Sequence, residues 1–464
     1  MKKYDSKLHQ QLIDWDKQYV WHPFTAMLDY NRCEPLIIEQ GEGSYLIDME
    51  GNRYLDGISS LWVNVHGHCR PELNAALIEQ INQIAHSTLL GLANVPSIKL
   101  AKKLVEITPP GLHKVFYSDA GATAVEIALK IAFQYWQQKD AGQYRQKTKF
   151  ISLVEAYHGD TIGSVSVGGM DLYHQIFKPL LFNGFYAPTP YCYRCPCGQS
   201  QDNCSQECLQ HLEKVMEEHH QEIAAMIIEP LVQGAAGMIV APSGYLRRVR
   251  ELCDKYQILI IADEVAVGFG RTGRLFACEH EQVAPDLMCV AKGITGGYLP
   301  LAATLTTDEV YNAFLGEPWE NKTFFHGHTY TGNPLGCAVA LANLNLIEKN
   351  DLIGSLQPKV ALLEEGLTKF HELVHVGDIR QKGLMVGLEL VQDRETRQPY
   401  SPQERIGHRV ILEARRRGLI LRPLGDVLVL MPILSMSLDE LEQVLSITYA
   451  SIKQVTEGRP GSAE

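Results

Sequence analysis

Apolar positions along this chain follow two rhythms. Around residues 1–20, 71–83, 97–107, 335–349, 355–374, 403–417 and 437–457 they recur every three to four residues, which predicts amphipathic helices. Elsewhere they form short unbroken runs: Val115-Phe116-Tyr117, KFISLVEA from 149, QEIAAMIIEP from 221, Ile258–Ala262 and Leu287–Ala291. Such runs, bounded by charge or glycine, read as strands buried on both faces of a parallel sheet. Strand and helix patterns alternate from about 113 to 300, so the chain is predicted to contain a doubly wound α/β domain. Shorter strand-and-turn patterns occupy 36–56 and return after about 375.

Two of the buried runs end in chemistry. Ile258–Ala262 closes on Asp263-Glu264, and Leu287–Ala291 closes on Lys292. The carboxyl ends of strands are where open α/β sheets hold ligands. A carboxylate and a lysine meeting there suit pyridoxal phosphate, because lysine condenses with an aldehyde and an Asp partners the ring nitrogen. Partial burial would favour the neutral, nucleophilic amine. The plainer alternative is a buried ion pair. Ser118-Asp119-Ala120-Gly121-Ala122-Thr123 then opens a helix whose apolar face is Val125, Ala128, Leu129, Ala132, Tyr135 and Trp136. The free N–H groups of a helix start attract phosphate, and Gly121 permits close approach. An ordinary cap by Ser118, Asp119 or Thr123 explains the same pattern. On that helix Glu126 and Lys130 are expected to pair across one turn. Tyr157, just past a strand, is placed either to stack on a flat ring or simply to pack. Trp62, in a Gly/Ser-rich segment, either walls a pocket or belongs to the core.

Composition narrows the classes. With 464 residues, 45% of them hydrophobic, the chain can bury a large core and is expected to form two domains. A net charge of −12 argues against nucleic acid or any other extended polyanion as a partner. No apolar stretch is long enough to span a bilayer, and MKKYDSKLHQQLIDWDKQ lacks an apolar leader core. The expectation is a cytoplasmic protein acting on small molecules, with its eleven cysteines reduced. Cys192-x-x-Cys195, Cys197 and Cys204-x-x-x-Cys208 resemble metal-ligand spacing. A structural zinc and a thiol-rich surface excursion both remain open, and no metal is assigned to the catalytic site. Gly268-x-Gly270-x-x-Gly273 matches a dinucleotide fingerprint, but Pro285 follows where a helix should run.

Taken together, four elements resemble the class-III, fold-type-I pyridoxal phosphate aminotransferases. They are Asp263-Glu264-Val265 before GFGRTG, Lys292 downstream, the small-residue loop at Gly121, and His326-Gly327-His328-Thr329-Tyr330. The resemblance covers nearly the whole chain. It implies an aspartate aminotransferase-like fold: a large doubly wound domain with a mostly parallel sheet, and a smaller α+β domain built from both chain ends. The implied boundaries are 1–75, 76–337 and 338–464. It also implies a homodimer with shared active sites. Within the class, WHPFTAM at 21–27, DGISSLWVNVHGH at 56–68, AYHGDTIG at 156–163 and LRPLGDV at 421–427 are similar to the branch that aminates 8-amino-7-oxononanoate. Another ω-aminotransferase, acting on a diamine or ω-amino acid, is the alternative.

By that resemblance Lys292 would hold the cofactor and move a proton, Asp263 would partner its ring nitrogen, and Tyr157 would stack on the ring. Gly121 and Ala122 would bind the phosphate, with His328 and Thr329 reaching it from the neighbouring subunit. Phe24, Leu61, Trp62, Asp160, Gly327 and Arg422 would meet substrate, Arg422 through its carboxylate. The phosphate loop departs from the family in reading Ala120-Gly121-Ala122, where serines are common. Phe24, Leu61 and Val429 stand where users of S-adenosylmethionine tend to carry Tyr, Trp and an aromatic. The amino donor expected from these three positions is L-lysine.

Overall fold

The computed structural model describes residues 4–200 and 203–458. Its centre is a seven-stranded sheet. In spatial order the strands are Leu112–Ser118, Ala302–Thr307, Leu287–Val290, Leu259–Asp263, Ile223–Ile228, Lys149–Leu153 and Phe185–Ala187. The last five run parallel. Ala302–Thr307 runs antiparallel to both of its neighbours. The Ile223–Ile228 and Leu259–Asp263 strands are buried at every position, which is why they read as unbroken apolar runs.

Helix Gly121–Gln138 lies across this sheet. Its inner face is mostly small, with Ala124, Ala128 and Ala132 packed with Ile227, Ile261, Leu287 and Ala302. That allows close approach, and Thr304 Oγ1 donates to the Ala124 carbonyl at 2.8 Å. The expected Glu126–Lys130 pair does not form. Glu126 is half-buried and accepts the Gly163 N–H at 2.7 Å, while Lys130 reaches His326 at 2.9 Å. A buried backbone donor outbids an exposed ion pair, which contributes only a few tenths of a kcal/mol.

Two four-stranded sheets flank the large one. One comprises Ile38–Glu42, Tyr45–Asp48, Arg53–Asp56 and Leu419–Ile420. The other comprises Val376–Lys382, Met385–Leu390, Val427–Leu430 and Arg422–Leu424. The first joins the chain's two ends: Leu55 pairs with Leu419 and Asp56 with Ile420 in parallel register. The closing helix, Leu438–Glu457, starts at Ser437, which shares a reciprocal capping box with Glu440. Among the described residues no helix is long and apolar enough to cross a membrane.

The glycine fingerprint at 268–273 opens no regular helix; a 3-10 turn at Ala277–Glu281 follows. Its glycines serve packing instead. A Cβ at Gly268 would lie 2.7 Å from the Glu264 carbonyl oxygen, and one at Gly270 would lie 2.9 Å from Leu434.

Candidate active site

Parallel pairing sets Asp263 beside Cys289, so the two charged strand ends emerge together on one edge of the sheet. There a cavity of about 630 Å³ is lined by Trp62, Gly121, Ala122, Tyr157, Asp263 and Lys292, among others. Seven of the thirteen expected site residues, Asp160 among them, therefore meet in one place.

Asp263 is 4% exposed, and its Oδ2 lies 2.7 Å from His158 Nδ1. Its Oδ1 accepts the Val265 N–H at 3.1 Å. A carboxylate held this way keeps one fixed orientation at the cavity floor. Lys292 follows its strand with φ +46, a left-handed conformation that turns the side chain into the cavity. Its Nζ stands 5.4 Å from the Trp62 ring centre. Burial pushes this amine below its ordinary range; Asp263 and Glu229 oppose the shift, and Arg271 adds to it.

Tyr157 donates its hydroxyl to Asp160 Oδ2 at 2.7 Å, and its N–H reaches Glu229 Oε1 at 3.3 Å. Burial, then Asp160, raises the phenol, so it remains a proton donor at neutral pH. Glu229 also accepts the Gly234 N–H at 2.9 Å, and burial pushes its carboxyl up to about 7.

At the other end of the cavity, helix Gly121–Gln138 begins. Thr123 satisfies Ala120: its Oγ1 accepts the Ala120 N–H at 3.0 Å and donates to the Ala120 carbonyl at 2.8 Å. The N–H groups of the first turn point outward. A Cβ at Gly121 would come 2.6 Å from Val265, and one at Gly159 (φ +120) would come 2.4 Å from the Ala122 Cβ. Ala122 thus seats against a bare glycine backbone. Ser118 Oγ and Trp62 Nε1 are buried here without a protein partner.

Phe24 and Arg422 form a second group at the rim. The Phe24 ring meets Tyr173 edge-on at 5.5 Å, and Tyr173 meets Tyr157 at 6.4 Å. The Arg422 guanidinium lies 6.0 Å from the Phe24 ring centre. Leu61 is 46% exposed. Val429 is fully buried, in the same apolar cluster as Trp62. Gly327, His328 and Thr329 do not line the Lys292 cavity of their own chain. They line a separate one of about 1110 Å³, and His328 Nδ1 lies 2.6 Å from Asp119 Oδ2.

Sequence reasoning passed over Arg271 and Asp56, which together build the Trp62 wall. Ser59, Ser60, Leu61 and Trp62 all have φ between +49 and +75, four consecutive left-handed residues. Each such residue carries a strain of about 1–2 kcal/mol. The surrounding structure holds them in place. Asp56 accepts the Ser60 N–H at 2.8 Å and its hydroxyl at 2.6 Å. Arg271, 2% exposed, donates to Ser59 Oγ at 3.1 Å, the Asn64 carbonyl at 2.8 Å and the Pro432 carbonyl at 2.6 Å. Arginine at the centre of GFGRTG, beside the DGISS stretch, was the available signal.

Comparison with known proteins decides the family. The profile described as Aminotransferase class-III matches residues 29–452. The chain belongs to the class-III aminotransferases. Like that class it is a pyridoxal 5'-phosphate enzyme of fold type I. This aminotransferase is 56% identical over 459 residues to a Geobacter sulfurreducens protein named adenosylmethionine-8-amino-7-oxononanoate aminotransferase, spanning 99% of this chain and 100% of that one. A crystal structure under the same name from Methanocaldococcus jannaschii superposes with a TM-score of 0.91 at 49% identity, covering 96% of this chain and 99% of that one. A thermostable (S)-enantioselective ω-transaminase from Thermomicrobium roseum superposes with a TM-score of 0.92 at 36% identity, covering 98% and 100%. The expectation of L-lysine as donor finds no support among the named relatives, whose names carry adenosylmethionine.

The residues present fit the cofactor. A lysine with a depressed pKa, a buried carboxylate and an open helix start all line one cavity, with the unpartnered Trp62 indole N–H beside them.

Proposed function

We propose that this aminotransferase passes the amino group of S-adenosylmethionine to the ketone of 8-amino-7-oxononanoate, giving 7,8-diaminononanoate. The observation that carries the reading is the 56% identity, over the full length of both chains, to a relative bearing that name. When bound, pyridoxal phosphate supplies an aldehyde that accepts the amine and a ring that stores electrons.

The chain's own residues do the rest. Asp263, oriented by His158, presents a carboxylate to a ring nitrogen and favours its protonated form. Lys292, whose pKa burial lowers, is placed to act as nucleophile and then as proton carrier. Gly121 and Ala122 offer backbone N–H groups to a phosphate at the positive end of their helix. Tyr157 covers one face of the site and, through its bond to Asp160, sets a carboxylate where a substrate ammonium would sit. Arg422 at the rim is suited to the oxononanoate carboxylate, because its planar fork binds both oxygens. Trp62 and Phe24 give broad apolar walls, as a pocket that takes two dissimilar substrates in turn requires.

Two chains are proposed to complete two sites. Leu90 and Phe325, which are 90% and 79% exposed, flank the cavity of Gly327, His328 and Thr329. Apolar exposure of that extent calls for a partner surface.

The test is a half-reaction. Purified holoenzyme is mixed separately with S-adenosylmethionine and with L-lysine, and its visible absorption band is followed. Bleaching by S-adenosylmethionine, reversed by 8-amino-7-oxononanoate, is expected. Bleaching by lysine alone would refute the donor. Reversal by ω-amino aldehydes but not by the oxononanoate would favour the ω-transaminase reading, which the similarity to the Thermomicrobium roseum enzyme keeps in view.

A further inference from the structure

The segment between the Phe185–Ala187 strand and the Glu207–His219 helix carries four of the eleven cysteines, and a fifth, Cys208, stands in the first turn of that helix. Its first half is fixed. Arg194 Nε donates to Glu389 at 2.6 Å, and the Tyr191 hydroxyl also donates to Glu389. Arg380, on the Val376–Lys382 strand, donates to Tyr191 at 2.8 Å and to Glu389 at 2.6 Å. A tight turn then reverses the chain: the Gly198 N–H donates to the Cys195 carbonyl at 3.0 Å, with Gly198 at φ +72. The returning half brings Cys204 and Cys208 back over the first pair. Cys192, Cys195, Cys204 and Cys208 all line one small enclosure, about 10 Å³, closed on one side by Pro242. That is room for a single small ion. Cys197 is not among its walls.

We propose that Cys192, Cys195, Cys204 and Cys208 hold one structural zinc ion that ties the returning half of this loop to the half anchored on Glu389. Two observations converge on it. The four residues form a C-x2-C and C-x3-C pair of pairs, a spacing that suits tetrahedral thiolate ligation. All four thiols are free, and they share one cavity rather than being spread over the surface. Binding drives off the four thiol protons to solvent, leaving four thiolates on zinc. Among the described residues no three side chains are yet arranged to hold a metal, so binding draws the thiols inward as the loop tightens.

The consequence reaches the catalytic domain's edge. Thr189, which precedes the loop, donates its hydroxyl to Gln233, and Gln233 donates to the Val154 carbonyl at 3.0 Å. Arg380 also holds the Gly237 carbonyl at 2.8 Å. The zinc therefore stiffens a clasp between the large sheet and the Val376–Lys382 sheet, and takes no part in the chemistry.

The test uses full-length holoenzyme purified without chelators. Inductively coupled plasma mass spectrometry is expected to find about one zinc per chain. A mercurial titrant should release that zinc to 4-(2-pyridylazo)resorcinol, and this measurement needs no variant. Cys192→Ser/Cys204→Ser should lose the zinc and lower Tm, while Cys33→Ser, at an exposed cysteine elsewhere, should keep it. Stoichiometric iron with acid-labile sulfide, a Cys192–Cys204 or Cys195–Cys208 disulfide, or eleven titratable thiols with no bound metal would each overturn the proposal.

Discussion

Replacing Arg271 with Met isolates the role of the residue that props the Trp62 wall. The side chain keeps its length, but three hydrogen bonds disappear, to Ser59, Asn64 and Pro432. The Ser59 hydroxyl still donates to the Met431 carbonyl at 2.5 Å, so it keeps a partner. The Asn64 and Pro432 carbonyls lose theirs inside the protein, at about 1–3 kcal/mol each. Against this stands the cost of burying the guanidinium, whose pKa burial pushes down to about 9. The net loss expected is about 3 kcal/mol. Unfolding entropy of roughly 2.1 cal/mol/K per residue over this chain gives about 1 kcal/mol per degree, so Tm falls by about 3 °C. The larger effect is local. Four left-handed residues without their clamp relax, Trp62 moves off Lys292, and a displacement of about 1 Å lowers kcat/KM by at least tenfold. Steady-state kinetics alongside calorimetry on the holoenzyme measure both. A variant with unchanged kcat/KM and a Tm within 1 °C would show that the turn holds itself, and the reasoning would fail.

Lys292→Ala should retain the circular dichroism of the native enzyme and lose essentially all turnover; ordinary turnover would remove Lys292 from the chemistry. Arg422→Ala should slow the half-reaction with the oxononanoate far more than the half-reaction with the donor, and equal losses in stopped-flow traces would argue against a carboxylate role. Gly159→Ala should weaken cofactor binding by about tenfold or more, because the new methyl would lie 2.4 Å from the Ala122 Cβ and tilt the helix start; equilibrium dialysis showing native affinity would contradict this. Glu229 and Glu264 both have folded-state carboxyls pushed up to about 7 by burial, above the unfolded value. The folded protein then binds more protons than the unfolded chain between those values, so stability is highest below the unfolded value and falls as pH rises through 7. Apoenzyme Tm should decline across that window and Glu229→Gln should flatten the decline; a rising Tm would contradict the assignment.

Strands and helices were legible because burial on both faces leaves an unbroken apolar run, and burial on one face leaves a period. The direction of a strand leaves no such trace. Ala302–Thr307 is nearly as buried as its parallel neighbours, and its antiparallel course follows from a short connection after Lys292. The candidate site was legible where a residue ends a buried strand or opens a helix, as with Asp263, Lys292 and Gly121, which line one cavity. It was not readable where function lies in a contact across the fold. His158 finds Asp263 across 105 positions, and Arg271 finds Asn64 and Pro432 across 207 and 161. Position 126 looked like half of a surface ion pair until Gly163, 37 residues on, supplied a buried N–H. One of the three positions read for the donor is explained in the same terms. Val429 lies in the apolar cluster behind Trp62, not on the cavity wall, so its size reports packing rather than the donor.

The joining of Arg53–Asp56 to Leu419–Ile420 sets an order of events during synthesis. Leu55 N–H donates to Gly418 at 2.8 Å, Gly57 N–H to Ile420 at 3.1 Å, and Met431 N–H to Gly57 at 2.9 Å. The left-handed turn at Ser59–Trp62 therefore waits for residues about 360–370 positions further along. A nascent chain emerging from the ribosome can pair its central strands and set Lys292 opposite Asp263, yet it has no finished wall beside the lysine until nearly the last helix has been made. Chains that stop early would present a reactive amine in an open cleft, and only completed ones would close it.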